Sequence, residues 1–275
     1  TYLSYFPSSA WSHPPRRDGG DTGPRRLDDI LGVVPRDSST PYDVRLVVSM
    51  LVDEGRFFQV QPDFGSSMVC ALAHLGGEPV AVVANQPQVL AGCLDIDASV
   101  KAARFVRFCD AFNIPLLTFV DVPGFLPGAS QEWGGIIRHG AKLLFSYSEA
   151  TVPKLTVIIR KAYGGAYDVM CSKHIRGDYN IAWPTAELAV MGADGAVQII
   201  HRRRIEEAAN PSQERERLVE EYGELFANPY KAAALGYIDD VIEPRETRSK
   251  LVKALGMLLD KQEERPARKH GNIPL

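Results

Sequence analysis

The chain has 275 residues, of which 45% are hydrophobic and 24% are charged, and its formal net charge at pH 7 is −3. This composition is typical of a globular domain and excludes a general nucleic-acid binder, which would carry a strongly basic surface. No run approaches the ~18 consecutive apolar residues of a transmembrane helix, so the sequence predicts no membrane partner.

The chain begins with an irregular stretch and continues with short strands. Residues 7–41 are rich in Pro, Gly, Arg, Asp and Ser, a composition typical of a connector without regular structure. Apolar residues at helical spacing follow, and then two β-type runs joined through Gly76 and Gly77. The predicted elements are a helix over 43–53, a strand over 57–60, and an antiparallel pair of strands over 68–74 and 80–84.

From residue 97 onward, predicted helices and strands alternate. The order is helix 97–112, strand 116–120, helix 134–149, strand 155–159, helix 167–173, strand 181–183 and a largely helical stretch over 186–200. This alternation indicates strands that pair in parallel through helical crossovers. The tail then changes character, with helices predicted at 206–226, 230–235 and 247–262, which are expected to pack outside the α/β core.

The four cysteines, Cys70, Cys93, Cys109 and Cys171, are scattered along the chain. Neither a C-x-x-C nor an H-E-x-x-H motif occurs, so we expect no metal bound by this protein. Scattered cysteines in a chain of this size indicate free thiols in a reducing compartment. The sequence opens on Thr1 rather than on Met, which we interpret as a start within a longer protein.

The segment 157–170 carries the strongest functional pattern. Its β-branched residues at 157–159 predict a buried strand, and the small residues at 164–166 form a tight turn into a helix. Amides at a helix start have no intrahelical partner, and small side chains leave them open to an anion or a developing oxyanion. The same pattern also fits a plain strand-to-helix turn in which the glycines serve packing alone.

Several motifs occur in a characteristic order. They are Pro41–Arg45 (PYDVR), Asp121–Gly128 (DVPGFLPG), Tyr163–Met170 (YGGAYDVM), Ser172–Asp178 (SKHIRGD), Ala182–Glu187 (AWPTAE), Val190–Ala193 (VMGA) and Gly236–Ile242 (GYIDDVI). With these motifs, over about residues 30–260, the chain resembles the carboxyltransferase β subunits of biotin-dependent acyl-CoA carboxylases. Within that family it looks most like the propionyl-CoA carboxylase branch.

The resemblance implies an α/β fold of the crotonase type, a spiral of ββα units with extra C-terminal helices. It also implies that the chain matches the C-terminal half of the family subunit. Residues 1–41 are then an irregular connector from a missing N-terminal half, and residues 42–275 are the carboxyltransferase C-terminal domain. In the family, the reaction centre forms between the C-terminal half of one protomer and the N-terminal half of a neighbour within a homohexamer. The resemblance implies a cytoplasmic protein, or one of the mitochondrial matrix in a eukaryote.

The reaction that the resemblance implies moves CO₂ from carboxybiotin to the α-carbon of a short acyl-CoA, with propionyl-CoA giving methylmalonyl-CoA. Negative charge develops on the biotin ureido oxygen, and by motif match the amides of Gly165 and Ala166 are the catalytic donors to it. Gly164, Tyr167 and Asp168 are expected to bind substrate, and the resemblance assigns Asp168 to acyl-chain selection. The alternative for Asp168 is a carboxylate that only suits the start of a helix.

No side-chain base is obvious, which agrees with a family mechanism in which a biotin nitrogen takes the α-proton. His174 is the alternative base, but its distance beyond the glycines predicts that it points elsewhere. Asp121 and Glu132 are expected to cap or hydrogen-bond a glycine-rich loop rather than to transfer protons. The residues expected to shape the biotin approach are Gly124, Phe125, Gly134 and Gly135, with a core role as the alternative for Phe125.

Signatures for biotin attachment and ATP binding do not occur in this sequence: there is no Met-Lys-Met site, no ATP-grasp pattern and no P-loop. Biotin is therefore expected on a partner, a biotin carboxylase with a biotin carboxyl carrier, which also uses ATP and Mg²⁺. Two alternatives remain open. One is a biotin-dependent acyl-CoA decarboxylase or transcarboxylase, and the other is a non-catalytic biotin-binding and oligomerisation module formed by this chain alone.

Overall fold

A mixed eight-stranded β-sheet organises the part of the chain that the structure, a computed structural model, describes: residues 1–265 and 271–274. Its strands are β1 (Phe57–Val60), β2 (Met68–Leu75), β3 (Glu78–Asn85), β4 (Leu116–Val122), β5 (Lys154–Tyr163), β6 (Tyr179–Ala182), β7 (Glu187–Ala189) and β8 (Asp240–Val241). The first three strands pair antiparallel, whereas β3, β4, β5, β6 and β8 run parallel in that order. The predicted hairpin and the predicted parallel pairing are both confirmed.

Ten α-helices surround the sheet within the described residues. They are α1 (Val44–Leu51), α2 (Ile96–Ala111), α3 (Ala129–Gly134), α4 (Ile136–Glu149), α5 (Gly164–Val169), α6 (Ala193–Ile200), α7 (Arg202–Glu206), α8 (Pro211–Phe226), α9 (Pro229–Ala234) and α10 (Thr247–Leu258). Side chains of Asp43, Asp95, Asn210 and Asn228 cap α1, α2, α8 and α9 by accepting a backbone N–H of the first turn.

Both faces of the parallel strands are covered by helices, as parallel sheets require. Val120 and Ile158 contribute to the core beneath α2 and α4, whereas Phe119 and Val157 contribute to the core beneath α1 and α10. Side chains alternate between the two faces of a strand. The apolar side chains of β4 and β5 therefore contribute to two cores at once.

Several predicted helix bounds are wrong, and each error has a local cause. The stretch 186–200 is not largely helical, because residues 187–189 form β7 beside the end of β5 and the helix begins only at Ala193. The predicted helix over 134–149 is interrupted at Gly135, whose φ of +88° lies in the left-handed region. The predicted helix over 206–226 starts later, because Pro211 occupies its first turn behind the Asn210 cap. The last helix ends at Leu258 instead of continuing to residue 262.

The N-terminal stretch, residues 1–41, has short 3₁₀ helices at Tyr2–Tyr5 and Asp28–Gly32 and is otherwise irregular. It packs on the domain: the Tyr5 ring stacks on His74 at a centroid distance of 4.8 Å, and the Arg17 amide donates to the Gly77 carbonyl at 2.8 Å. The predicted domain over 42–275 includes residues 266–270 and 275, which lie outside the described residues.

The carboxyl ends of β4 and β5 lie side by side, because the two strands are parallel neighbours. The chain leaves β4 into the glycine-rich loop 123–128 and leaves β5 directly into α5. This edge of the sheet therefore brings together the two motifs that sequence analysis singled out.

Candidate active site

The turn from β5 into α5 contains two glycines that are present for different reasons. Gly164 has a φ of +53°, and a Cβ atom there would lie 2.8 Å from the Val190 carbonyl oxygen, so only glycine fits without strain. Gly165 is not left-handed, and a Cβ on it would meet nothing within 4 Å. Gly164 thus allows the turn, whereas Gly165 leaves open space in front of the helix start.

The amides of Gly165 and Ala166 belong to the second and third residues of α5. Amides at these positions have no carbonyl four residues earlier within the helix, and a capping side chain usually satisfies one of them. The residue that precedes the helix, Tyr163, makes no such side-chain cap. Within the described part of the chain, neither amide donates to a backbone carbonyl outside the regular elements. The pair is thus available as two neighbouring donors.

A cavity of about 780 Å³ opens beside this turn. Its lining is mostly apolar and comes from α4, α5, the loop after β4 and the 3₁₀ turn Lys173–Ile175: Phe125, Ile136, Ile137, Gly140, Ala141, Leu144, Gly165, Asp168, Val169, His174 and Ile175. A Cβ on Gly140 would lie 2.7 Å from the Phe125 ring, so that glycine lets the ring lie flush against α4. The cavity therefore combines apolar walls with the open helix start at Gly165.

A second cavity of about 240 Å³ shares Asp168 and His174 with the first. The prediction that His174 points elsewhere is wrong, because α5 ends at Val169 and does not carry the chain two turns onward. Cys171, with a φ of +60°, turns the chain back, and the His174 ring packs edge-on to Tyr237 with centroids 5.1 Å apart. Sequence periodicity does not reveal where α5 ends, because the helix is only six residues long.

Tyrosines beside the two cavities are held in the neutral form. Burial raises the pKa of Tyr167, which lines the smaller cavity and whose hydroxyl has no hydrogen-bond partner among the described residues. Burial is the largest cause that raises the pKa of Tyr163, and the hydrogen bond to the Glu187 carboxylate is the second. The Tyr163–Glu187 contact also joins β5 to β7 directly before the glycine turn.

The remaining predicted site residues lie near the cavities, but only Phe125 lines one. The Gly124 carbonyl accepts from the Leu94 amide at 3.1 Å, which fixes the course of the loop after β4. A Cβ on Gly134 would lie 2.7 Å from the Ile96 side chain, and Gly135 joins α3 to α4. These three glycines thus position the wall residues of the cavity.

Asp121 does not hydrogen-bond the glycine-rich loop, contrary to the prediction. Its carboxylate is 1% exposed and pairs with the equally buried Arg160, with Nε and Oδ2 2.8 Å apart. Its other oxygen accepts from the Lys161 amide at 3.2 Å. Near that loop, the side chain of Gln131, and not the neighbouring Glu132, accepts from the Ile96 amide at 3.0 Å.

Exposed apolar side chains lie near both cavities. Trp133, Ile137 and Val190 are 90%, 87% and 80% exposed. Ile137 lines the larger cavity and Val190 the smaller one. Solvent-exposed side chains of this size in one neighbourhood are typical of a contact surface for another protein chain.

In the described ranges, no group of three or more His, Cys, Asp or Glu side chains is arranged to hold a metal ion. All four cysteines are free. No helix of the described chain has the length and apolar character needed to cross a membrane.

The fold and this site define a crotonase-like α/β protein with an amide pair at a strand-to-helix turn. The chain belongs to the carboxyl transferase domain family, which matches residues 1–273. It is 57% identical to the carboxyltransferase subunit of propionyl-CoA carboxylase from Haloferax mediterranei, over 99% of this chain and 53% of that protein. It is 50% identical to the α subunit of methylmalonyl-CoA decarboxylase from Veillonella parvula, over 99% of this chain and 52% of that protein.

A solved structure shares the fold. The transcarboxylase 12S crystal structure, a hexamer with methylmalonyl-coenzyme A and methylmalonic acid bound, superposes with a TM-score of 0.94 at 50% identity. The match covers 100% of this chain and 52% of that one, so the chain spans about half the length of the relatives it matches. The predicted family and the predicted crotonase-like fold are confirmed.

Proposed function

We propose that this chain supplies the biotin side of a carboxyltransferase site that moves CO₂ from carboxybiotin to the α-carbon of a short acyl-CoA. Propionyl-CoA, which would give methylmalonyl-CoA, is the proposed substrate. The observation that carries the proposal is the pair of uncapped amides at Gly165 and Ala166 beside an apolar cavity of about 780 Å³. Relatives named for propionyl-CoA carboxylase support the choice of reaction and substrate.

The chemistry of the cavity fits a biotin ring. The ring system is apolar apart from its ureido group, and the cavity offers Phe125, Ile136 and Ile137 as apolar walls and Gly165 at the uncapped helix start, with buried Ala166 next in the chain. When bound, biotin supplies a carboxyl group on its ureido nitrogen. The amides of Gly165 and Ala166 would donate to the ureido oxygen, and loss of one such donor typically costs about 2.7–4 kcal/mol of transition-state stabilisation.

The open space at Gly165 is part of the same fit. A side chain at this position would occupy open space beside the cavity, because Gly165 lines the cavity and nothing lies within 4 Å of its Cβ position. The ureido oxygen requires this approach to the backbone. The role proposed for the chain is therefore to bind, orient and stabilise charge through its backbone amides.

Asp168 is proposed to take part in acyl-chain selection. It lines both cavities, so its carboxylate lies where two bound groups would meet. In the complete enzyme, Asp168→Ile should change the ratios of kcat/KM for acetyl-, propionyl- and butyryl-CoA, because an apolar side chain replaces a charge at that junction. Unchanged ratios would remove this role.

The rest of the proposed enzyme comes from other chains. The N-terminal half of a neighbouring protomer would cover the exposed side chains of Trp133, Ile137 and Val190 and supply most of the acyl-CoA site. We further propose a homohexamer, as in transcarboxylase 12S, with residues 1–41 as the connector from the N-terminal half and residues 42–275 as the C-terminal domain. A biotin carboxylase with a biotin carboxyl carrier would use ATP and Mg²⁺, and the proposed location is the cytoplasm, or the mitochondrial matrix in a eukaryote.

A second candidate function uses the same site for a different reaction, either decarboxylation of an acyl-CoA or transfer of its carboxyl group to another acceptor. It is favoured by the 50% identity to a methylmalonyl-CoA decarboxylase subunit and by the match to transcarboxylase 12S. Decarboxylation and transcarboxylation need the same stabilisation of the ureido oxygen. The amide pair therefore supports all three reactions equally, and the partner decides among them.

The test uses the full polypeptide that contains this sequence, with its biotinylated partner. ATP-dependent incorporation of labelled bicarbonate into propionyl-CoA is expected. Methylmalonyl-CoA breakdown without such incorporation would favour the decarboxylase. The third possibility, a non-catalytic module, is tested by sedimentation and a carboxylation assay on this chain alone and on the full polypeptide. If both proteins associate and neither carboxylates propionyl-CoA, the result would support the module and contradict the enzyme.

A further inference from the structure

The pairing of β4 with β5 contains an irregularity directly before the active-site turn. The strands pair in register up to Val120 and Ile158, and the pairing resumes with Val122 opposite Ala162. One residue of β4, Asp121, therefore faces the three residues 159–161 of β5. Such bulges re-aim the strand that carries the extra residues and are over-represented next to active sites.

The Asp121 side chain supplies the acceptor that the regular ladder lacks at this bulge. Its Oδ1 accepts from the Lys161 amide at 3.2 Å, and its Oδ2 accepts from Arg160 Nε at 2.8 Å. The Asp121 amide in turn donates to the Asn85 side chain at 3.2 Å. A carboxylate and a carboxamide thus replace backbone partners on both sides of β4.

The Arg160 guanidinium is fully enclosed by further partners. Its Nη1 donates to the carbonyl oxygens of Asp37 and Thr40, both at 2.8 Å, and its charge lies 4.7 Å from the centre of the Tyr42 ring. Lys161 Nζ, next in sequence, donates to the Ser38 carbonyl at 2.8 Å. The bulge is therefore held from the N-terminal stretch as well as from β4.

The donor amides follow the bulge almost immediately. Ala162 restarts the ladder with β4, and Gly165 is three residues further along the chain. The direction in which β5 leaves the bulge therefore sets the direction of the turn at residues 163–165. Since oxyanion donors act only over hydrogen-bond distances, a small change in this direction would move them out of range.

We propose that the Asp121–Arg160 ion pair is a positioning element for the Gly165 and Ala166 amides. The pair holds the bulge that aims the end of β5, and so it acts on the reaction through the backbone without touching a substrate. This inference rests on the proposed carboxyltransferase function. It concerns two residues that lie outside both cavities, and it gives Asp121 a role different from the loop contact that the sequence predicts.

A role in stability alone makes a different prediction. Buried ion pairs often contribute little net stability, and an apolar pair of similar volume can replace them without loss of the fold, whereas removal of one partner leaves a costly unpaired charge. A double substitution, Asp121→Leu with Arg160→Met, therefore removes the bulge acceptor without stranding a charge. If the pair serves stability alone, the folded double variant retains full activity.

The matched control is the pair of Arg248, which is fully buried, with Asp53, whose side chain is 10% exposed. Its atoms Nη2 and Oδ1 are 2.6 Å apart, and Arg248 also donates to carbonyl oxygens of the N-terminal stretch, those of Asp21 and Gly23. Neither residue lines the two cavities. The corresponding double substitution, Asp53→Leu with Arg248→Met, thus has similar burial and chemistry but a different location.

The experiment measures kcat and KM per assembled site in the full polypeptide with its biotinylated partner. We expect kcat to fall by about 10²-fold in the Asp121/Arg160 double variant, the effect of a roughly 1 Å displacement, with KM for acyl-CoA changed less than about twofold. The control variant should keep kcat within about twofold of the unsubstituted enzyme, because its backbone contacts lie away from the turn. Equal kcat in all three enzymes would overturn the proposal.

Two further measurements keep the outcome decisive. If the double variant fails to assemble, Asp121→Asn takes its place in the assay. This substitution keeps an acceptor for the Lys161 amide but removes the negative charge of the ion pair. An unchanged kcat in this variant would also overturn the proposal. A crystal structure of the double variant tests positioning without any assay, since unmoved amides at 165 and 166 would contradict it. An unsubstituted enzyme without activity would instead count against the proposed function.

Discussion

Neighbouring residues of one short turn meet different physical demands. Gly164 is fixed by its own backbone, because its left-handed φ and the nearby Val190 carbonyl leave no room for a side chain. Gly165 is not required by its backbone, because a Cβ atom there would meet nothing within 4 Å; its missing side chain instead leaves open space beside the cavity. The roles of these two glycines can therefore be distinguished by substituting each one separately.

We predict opposite effects for the two alanine substitutions. Gly164→Ala should lower the free energy of unfolding by at least about 1–2 kcal/mol, the cost of a left-handed alanine, with the carbonyl contact adding to it. Gly165→Ala should leave the unfolding transition unchanged or raise it slightly, because alanine favours a helix. Its methyl group should nevertheless reduce kcat by about tenfold or more, a part of the 10²–10³ effect of losing a donor.

Thermal unfolding and carboxylation assays on the two variants check this prediction, and each variant is the other's control. A Gly165→Ala enzyme with full activity would contradict the assigned role of the open space. A Gly164→Ala protein as stable as the unsubstituted chain would show that the turn adopts another conformation.

At the scale of elements, one buried hydroxyl group of α10 hydrogen-bonds a residue at the end of the sheet strand β6. Thr247 Oγ1 accepts from the Trp183 indole N–H at 2.9 Å and donates to the Pro244 carbonyl at 2.7 Å. Both side chains are almost fully buried. The helix that covers one core is thus tied to the residue that follows β6.

Thr247→Val removes the hydroxyl while keeping the shape of the side chain. It should lower the free energy of unfolding by about 1–3 kcal/mol, because a buried indole donor is left unsatisfied. Urea unfolding monitored by tryptophan fluorescence measures the change. Ser249→Ala on the same helix is the control, since its hydroxyl is partly exposed and makes one longer contact of 3.3 Å, and it should cost less. Equal effects would contradict this role of Thr247.

A second element contact is predicted to depend on pH. His74 of β2 packs against Tyr5 of the N-terminal 3₁₀ helix, and burial lowers the pKa of this histidine. The folded protein thus favours the neutral ring, so its stabilising effect is fully present above the unfolded-state pKa of about 6.5 and is lost as pH falls through the lower folded-state value. His74→Gln should flatten the decline in the free energy of unfolding between pH 7.5 and pH 5; parallel curves would contradict this assignment.

The elements that sequence analysis found are those with long local patterns. The runs at 116–120 and 155–159 are apolar apart from one threonine each and were correctly predicted as strands. β7 was missed because three residues do not establish a period, and its pairing with the end of β5 exists only in the folded sheet. Strand register likewise brings Asp121 to Arg160, which are 39 residues apart in sequence, and no local pattern predicts that contact.

The candidate site divides in the same way. The proposed donor pair at Gly165 and Ala166 belongs to one local motif, so the sequence alone is enough to propose it. Of the apolar side chains that line the cavity, only Phe125 was expected from its motif, because Ile136 and Ile137 reach the cavity from a helix whose placement depends on packing. His174 was misplaced because one left-handed residue, Cys171, reverses the chain before it.

At the scale of the whole molecule, the surface around the cavities differs from an ordinary exterior. Trp133, Ile137 and Val190 are almost fully exposed although each is large and apolar. Transfer of such side chains out of water is worth about 1.5–3 kcal/mol each when burial is complete. A neighbouring protomer that covers them would both gain this free energy and close the site.

The final prediction compares two exposed tryptophans. Trp133, 90% exposed, adjoins the cavity wall, whereas Trp11, 96% exposed, belongs to the N-terminal stretch. In the full polypeptide, Trp133→Glu should weaken association about tenfold or more, because a charge would have to be buried in the contact, and sedimentation velocity at several concentrations measures this. Trp11→Glu introduces the same charge at equal exposure and should leave the assembly unchanged. Equal sedimentation of both variants would mean that the apolar surface around the cavities is not the contact between protomers.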